Sequence, residues 1–379
     1  MNSPPAHGLL GVVTVPEFEP SRPLGGAEAV ADQLVRRLSK WFEIAVLHGY
    51  DVHRLPRPGR RPLATATSAV DAFPLTDVVR HCGVIPGDLL SLTAREVLRD
   101  CVAVLAFERV LETPLQSPLY AVLGGTAYPH CQELAASRLW DKLIVPSEYV
   151  RETVLDSWLG ESEEVRLILN GIDTNKFYLA DPTSRSNDEP IRLLVPSRPD
   201  HGKGFRDALE FARACGTAGF AVVVHGFRRD SYLEDDLFYD EVLRAAERLK
   251  VELVFDPWVT HCEMPHAYRA SALTLCLGEL PEGFCLAAAE SIACGTPVLA
   301  RPVGFLRNLF PPEHGLTHIA RHEDFEGIAA RLPKQIEDGR QACFGRGASF
   351  VKKHYSEESM VAGYQELLGL EALNRESHA

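Results

Sequence analysis

Two carboxylates, two cations and several glycines stand at or just beyond the expected ends of strands. Glu282 and Glu290 lie eight residues apart in LGELPEGFCLAAAESIACGTPVLARPVG, residues 277–304, and Glu290 falls inside the apolar run LAAAESIACG. An unpaired charge in such a run would be costly. A buried strand, Leu273–Leu277, ends at Gly278, ELPEG reads as a turn, and a helix is expected from about Phe284. Eight residues along a helix are a little over two turns, so both carboxylates would face one ligand from successive levels. A carboxylate accepts from vicinal hydroxyls, which suits a sugar ring or a ribose. Gly283 lets the backbone approach a ligand, and the unpaired first amides of the helix form an anion site beside it.

Arg198 and Lys203 stand five residues apart in VPSRPDHGKG, residues 195–204, after another short strand. Two cations at a strand end suit a diphosphate leaving group, Arg by bidentate grip and Lys as a movable charge, the alternative being solvated charges of a turn. Gly25-Gly26 in PLGGAE opens an amphipathic helix and would let a second backbone approach a diphosphate. Asn170-Gly171 reads as a turn after a buried strand.

These residues must be held by alternating strands and helices. Short β-branched runs at Leu9–Val15, Phe42–Leu47, Val102–Leu105, Leu119–Leu123, Lys142–Val145 and Val165–Leu169 alternate with helix-period stretches. The clearest helix is Ala27–Lys40, with Val30, Leu34 and Leu38 on one face. Residues 51–75, rich in Pro, Arg and Ala, read as a loop. ADPTSRSNDEP, residues 180–190, has linker chemistry. The alternation restarts at Ile191–Val195, Phe220–Val224, Val251–Phe255, Leu273–Leu277 and Pro297–Ala300. Two α/β domains are therefore expected, 1–180 and 181–355, followed by a helix in 356–379 that packs on either one. Ligands of parallel sheets bind beyond the carboxyl ends of the strands, which places the chemistry in a cleft between the domains.

At 379 residues, with 46 % hydrophobic and 24 % charged side chains, the chain has the size and composition of two globular domains. A formal charge of −13 argues against a nucleic-acid partner. Nine cysteines without a C-x-x-C pair read as reduced core thiols of a cytoplasmic protein. The start, MNSPPAHGLLGVVTV, lacks the basic region of a signal peptide, and no apolar stretch is long enough to span a membrane. D-x-D, H-E-x-x-H, G-x-x-x-x-G-K-[ST] and G-x-G-x-x-G are absent, so no metal site, P-loop or dinucleotide fingerprint is expected.

Taken in order, these segments resemble glycosyltransferase family four, a retaining family with the GT-B fold of two Rossmann-like domains. Pro281, Glu282, Gly283, Phe284, Leu286, Glu290, Ala293, Cys294, Gly295, Pro297 and Val298 match its E-x7-E region, often written PEGFGLxxLEAMACGxPVV. Cys285 stands where the family usually has Gly, and Gly202 where it commonly has Glu. Arg198 and Lys203-Gly204 resemble GRLxxxKG, Gly25-Gly26 resembles GGxE, and LILNGIDTNKF and IVPSEYVR resemble family stretches ending the first domain. The resemblance implies a metal-independent transferase moving a sugar from a nucleotide-diphosphate donor, UDP foremost, to a hydroxyl of an acceptor. Arg198 and Lys203 would bind the diphosphate, Glu282 the sugar, Glu290 the ribose, and the amides of Phe284, Cys285 and Leu286 the phosphates. The family's first-domain histidine position falls on Gly124-Gly125-Thr126, which leaves His130 as the candidate contact. No cofactor is implied beyond the nucleotide sugar. The acidic balance suits a small cationic acceptor such as an aminocyclitol of an aminoglycoside pathway. A lipid or polysaccharide acceptor, a non-catalytic nucleotide-sugar-binding protein and a sugar-nucleotide epimerase are the alternatives.

Overall fold

The computed structural model describes residues 8–14, 25–49, 70–75, 84–85, 92–108, 110–111, 115–180, 189–197, 200–228, 233–320 and 324–369. The chain divides into two compact units, residues 1–171 with 357–379, and residues 172–356.

The strands of the first unit are β1 (Leu9–Val13), β2 (Glu43–Gly49), β3 (Val70–Leu75), β4 (Val84–Ile85), β5 (Cys101–Phe107), β6 (Val110–Leu111), β7 (Leu119–Val122), β8 (Lys142–Val145) and β9 (Val165–Leu167). Seven of them form one parallel sheet in the order β3-β2-β1-β5-β7-β8-β9, while β4 and β6 pair separately. The near-continuous burial of CVAVLAF in β5 is what a sheet covered on both faces requires. The order reverses between β1 and β5, a topological switch point.

The expected loop over 51–75 is corrected at its end, because Val70–Leu75 is a strand paired with β2. Pro74 inside VDAFPL hides it in the sequence, since proline removes a ladder donor; β3 is an edge strand, where that is tolerated. The helix Glu357–Leu367 belongs to this unit. Arg37 Nε, on the helix Gly26–Leu38, donates to Glu357 Oε2 at 2.7 Å, and the Gly171 amide faces Met360 Sδ at 3.2 Å.

The second unit contains β10 (Ile191–Leu194), β11 (Val222–Arg228), β12 (Glu252–Pro257), β13 (Leu273–Cys276), β14 (Val298–Ala300) and β15 (Leu316–His318). They form a parallel sheet in the order β12-β11-β10-β13-β14-β15. The order reverses between β10 and β13, so the segments following those two strands meet at one end of the sheet. This unit begins at Ile172 rather than in the polar stretch expected as the linker. Residues 172–180 are tied into it: the Ile172 amide donates to Tyr355 O at 2.7 Å, and Arg269 stacks over Tyr178 at 4.5 Å while donating to its carbonyl at 2.9 Å.

Candidate active site

The second unit's switch point brings together the turn after β10 and the loop after β13. In the turn, Gly204 has φ +88°, and a Cβ on it would sit 2.6 Å from the Gly278 amide nitrogen, so only glycine fits. The Glu279 amide donates to Gly202 O at 3.0 Å, which clamps turn and loop together. Lys203 is held between these glycines at the mouth of the helix Phe205–Thr217. Its Nζ lies 2.8 Å from Glu282 Oε1, with the two side chains 18 % and 23 % exposed. Glu282 is fixed from behind by Gly304, where a Cβ would stand 2.6 Å from the Glu282 nitrogen, and by the Phe305 amide donating to its carbonyl at 2.9 Å. Lys203 and Glu282, singled out by type and spacing, are thus brought together. Arg198 lies outside the described residues.

The helix after the loop spans Leu286–Ala293, two residues later than expected. Cys285 caps it with φ +67° and ψ +70°, a left-handed conformation that breaks the helix before Phe284 can join. Glu282 and Glu290 therefore do not share a helix, and the expectation that both project from successive turns is corrected. Glu290 is 4 % exposed. Its Oε1 lies 2.6 Å from His261 Nε2, and its Oε2 accepts from the Tyr268 hydroxyl at 2.9 Å. Burial and the adjacent Glu290 charge raise the Tyr268 phenol well above its ordinary value, keeping it a donor. This answers the question posed by a carboxylate in an apolar run: its partners stand 29 and 22 residues earlier in the chain.

Gly283 is buried, and the Phe284 ring belongs to the core, stacked on Phe305 at 5.6 Å and edge-on to Tyr355 at 5.1 Å. A hydrogen bond with Cys276, then burial, raises the Cys285 thiol well above its ordinary value, so Cys285 contributes backbone rather than a thiolate. Beneath the site, Arg301 Nε donates to Asp207 Oδ2 at 2.9 Å and to Leu277 O at 3.1 Å, joining the end of β13 to the helix Phe205–Thr217. No motif in the sequence singles out His261, Tyr268, Asp207 or Arg301. Among the described residues no group of three or more His, Cys, Asp or Glu is arranged to hold a metal ion.

In the first unit, Gly25 is the extended N-cap of the helix Gly26–Leu38, and its carbonyl accepts from the Ala29 amide at 3.0 Å. His130 opens the helix Pro129–Ser137 and stacks on Tyr128, with centroids 5.5 Å apart and planes 8° from parallel. In the chain the first follows β1 and the second follows β7.

Residues 180–344 match the family described as Glycosyl transferases group 1. The D-inositol 3-phosphate glycosyltransferase of Salinispora tropica is 32 % identical over 149 residues, 39 % of this chain and 30 % of that relative's length. Among solved structures, the chain is similar to a sucrose-phosphate synthase from Thermosynechococcus elongatus (TM-score 0.69, 18 % identity, 96 % of this chain and 99 % of that one). It is also similar to HepE of Anabaena in complex with UDP and glucose (TM-score 0.68, 16 % identity, 95 % and 99 %). The fold is GT-B. Among the described residues no helix is long and apolar enough to cross a membrane.

Proposed function

We propose that this chain is a retaining, metal-independent glycosyltransferase that moves a hexosyl or N-acetylhexosaminyl group from a UDP-sugar to a hydroxyl of a small acceptor, an aminocyclitol by class. The observation that carries the reading is the Lys203–Glu282 pair, 2.8 Å apart at the switch point of the matched domain, in the loop that leads into the helix Leu286–Ala293. A lysine there meets the β-phosphate as a point charge, and a carboxylate there accepts from sugar hydroxyls. When donor enters, each partner exchanges the other for the ligand. The solved structure with UDP and glucose supports uridine as the base.

In the step proposed, the bond from the anomeric carbon to the leaving phosphate oxygen breaks as the acceptor oxygen bonds to that carbon from the same face. The acceptor proton passes to the departing phosphate oxygen. Lys203, Arg198 and the amides of Phe284, Cys285 and Leu286 stabilise the charge that develops on the diphosphate. Glu282 orients the sugar; Glu290, expected at the ribose, has its two oxygens on His261 and Tyr268 and in this reading braces the helix whose amides do the binding.

A thermal-shift panel of UDP-, GDP-, ADP- and dTDP-sugars tests the reading, because a donor that binds the folded state raises the midpoint. UDP-sugars are expected to raise it, with or without a chelator. Lys203→Ala is expected to lower the transfer rate by about 10²–10³, the cost of losing one preorganised charge-stabilising group. If no nucleotide sugar moves the midpoint, the reading fails.

A further inference from the structure

One guanidinium ties together the segments that carry the Lys203–Glu282 pair. Arg301 directly follows β14, and its amide donates to Cys276 O, at the end of β13, at 3.0 Å. Its Nε donates to Leu277 O at 3.1 Å and to Asp207 Oδ2 at 2.9 Å, and its Nη2 reaches the same carboxylate oxygen. Leu277 is the residue on which Gly204 packs: a Cβ on that glycine would stand 2.5 Å from the Leu277 carbonyl carbon. Asp207 lies in the first turn of the helix Phe205–Thr217, one helical turn beyond Lys203. The side chain of Arg301 thus holds the Lys203 side of the pair, and its backbone leads to the other side. The Arg301 carbonyl accepts from the Val303 amide at 2.8 Å, and the next two residues, Gly304 and Phe305, are those that back Glu282. The Arg301 and Asp207 side chains are each 11 % exposed. At that depth a charge deprived of its counterpart is costly. A carboxylate left without its guanidinium at the helix end that follows Lys203 would also oppose an incoming diphosphate.

We propose that Arg301 is a positioning residue for the donor: by neutralising Asp207 and gripping the Leu277 carbonyl, it keeps Lys203 aimed at the β-phosphate of a nucleoside diphosphate without touching the ligand itself. The proposal rests on the glycosyl-transfer reading and adds to it a residue behind the site that no motif marks. A guanidinium suits the task because its planar fork can serve a carboxylate and a carbonyl at once, which a single ammonium on a flexible stem does less well. A buried pair that served stability alone would leave the affinity for one phosphate relative to two unchanged when altered. A pair that aims Lys203 would not.

The test is calorimetric titration of the full-length protein with UDP and with UMP, which lacks the β-phosphate. Arg301→Gln is expected to weaken UDP about tenfold, the order set by one charge-assisted hydrogen bond, and UMP by about twofold or less. Combining Arg301→Gln with Asp207→Asn removes the stranded charge and is expected to recover part of the UDP affinity. Arg301→Lys keeps the charge but loses the fork; it is expected to weaken UDP more than UMP, and it carries the test if Arg301→Gln fails to fold. The proposal is overturned if the ratio of UDP to UMP affinity stays at the parent value in the folded variant, even where the unfolding temperature falls, or if the double substitution recovers nothing. Lys203→Ala keeps the two failures apart. If it binds UDP as tightly as the parent, or if the unaltered protein does not bind UDP, the transfer reading fails and takes this role of Arg301 with it; if it weakens UDP while Arg301→Gln does not, the reading stands and the role of Arg301 alone falls.

Discussion

At the scale of single residues, the two carboxylates of the candidate site differ in which is exposed and which is locked. Glu282 shares its charge with Lys203 at a solvent-reachable rim, whereas both oxygens of Glu290 are taken by buried protein donors. Glu290→Ala is therefore expected to lower stability by about 3 kcal/mol, since breaking a buried pair strands its partners, and Glu290→Gln by less. Urea unfolding of the purified variants checks this, and an Ala variant as stable as the parent would remove Glu290 from its bracing role. The contrast between the two glutamates was half legible. Type and spacing bring out both, and the apolar run around Glu290 demands partners, but nothing local names His261 or Tyr268. Those contacts come from a neighbouring segment packed alongside, and pairings across 22 and 29 residues leave no periodic trace. Cys285 was legible only as a departure from the glycine of the family that the sequence resembles; its left-handed φ is a conformation that favours glycine.

At the scale of elements, strand order decides what the motifs can do. Because β10 and β13 are neighbours, a turn and a loop far apart in sequence close on one spot. The alternation of strands and helices predicts the two sheets, and the short β15 and the proline-bearing β3 escape because neither has a β-branched run. A second feature ties β10, β11 and β12 laterally. Asp256 Oδ2 on β12 accepts from Arg192 on β10 at 2.7 Å and lies 3.0 Å from His225 Nδ1 on β11. Burial pushes the His225 imidazole below its ordinary 6.5, against a partly opposing hydrogen bond to the Asp256 carboxylate. The folded protein thus binds fewer protons than the unfolded chain in the window between the lowered value and 6.5, so stability rises with pH there. This contribution is complete above pH 6.5 and is lost as pH falls through that window. His225→Gln should flatten the dependence of the unfolding midpoint on pH in this range. An unchanged slope would show that the imidazole titrates equally in both states.

At the scale of the whole chain, the first unit is discontinuous in sequence: it is entered first, left at Gly171 and completed only when the chain returns at Glu357. The returning helix Glu357–Leu367 buries Met360, Val361 and Tyr364. Its Gly363 allows Ile168 so near that a Cβ would stand 3.0 Å from Ile168 Cγ2. Glu357, 4 % exposed, receives Arg37 from the helix that Gly25 and Gly26 open. The returning helix therefore packs against Gly26–Leu38, the helix that follows β1 and that Gly25 caps. Removing residues 357–379 would expose this apolar face and strand Arg37, while every strand of the second unit and the Lys203–Glu282 pair would remain. The expected outcome is unequal damage. Hydrogen exchange should accelerate through Gly26–Leu38 and β9 more than through β10 and β13, and UDP should still protect Phe205–Thr217 and Leu286–Ala293. Uniform acceleration across both units would mean that the two do not fold as separate cooperative bodies. Retained protection of Gly26–Leu38 would mean instead that the C-terminal helix contributes nothing to holding the glycine pair in place.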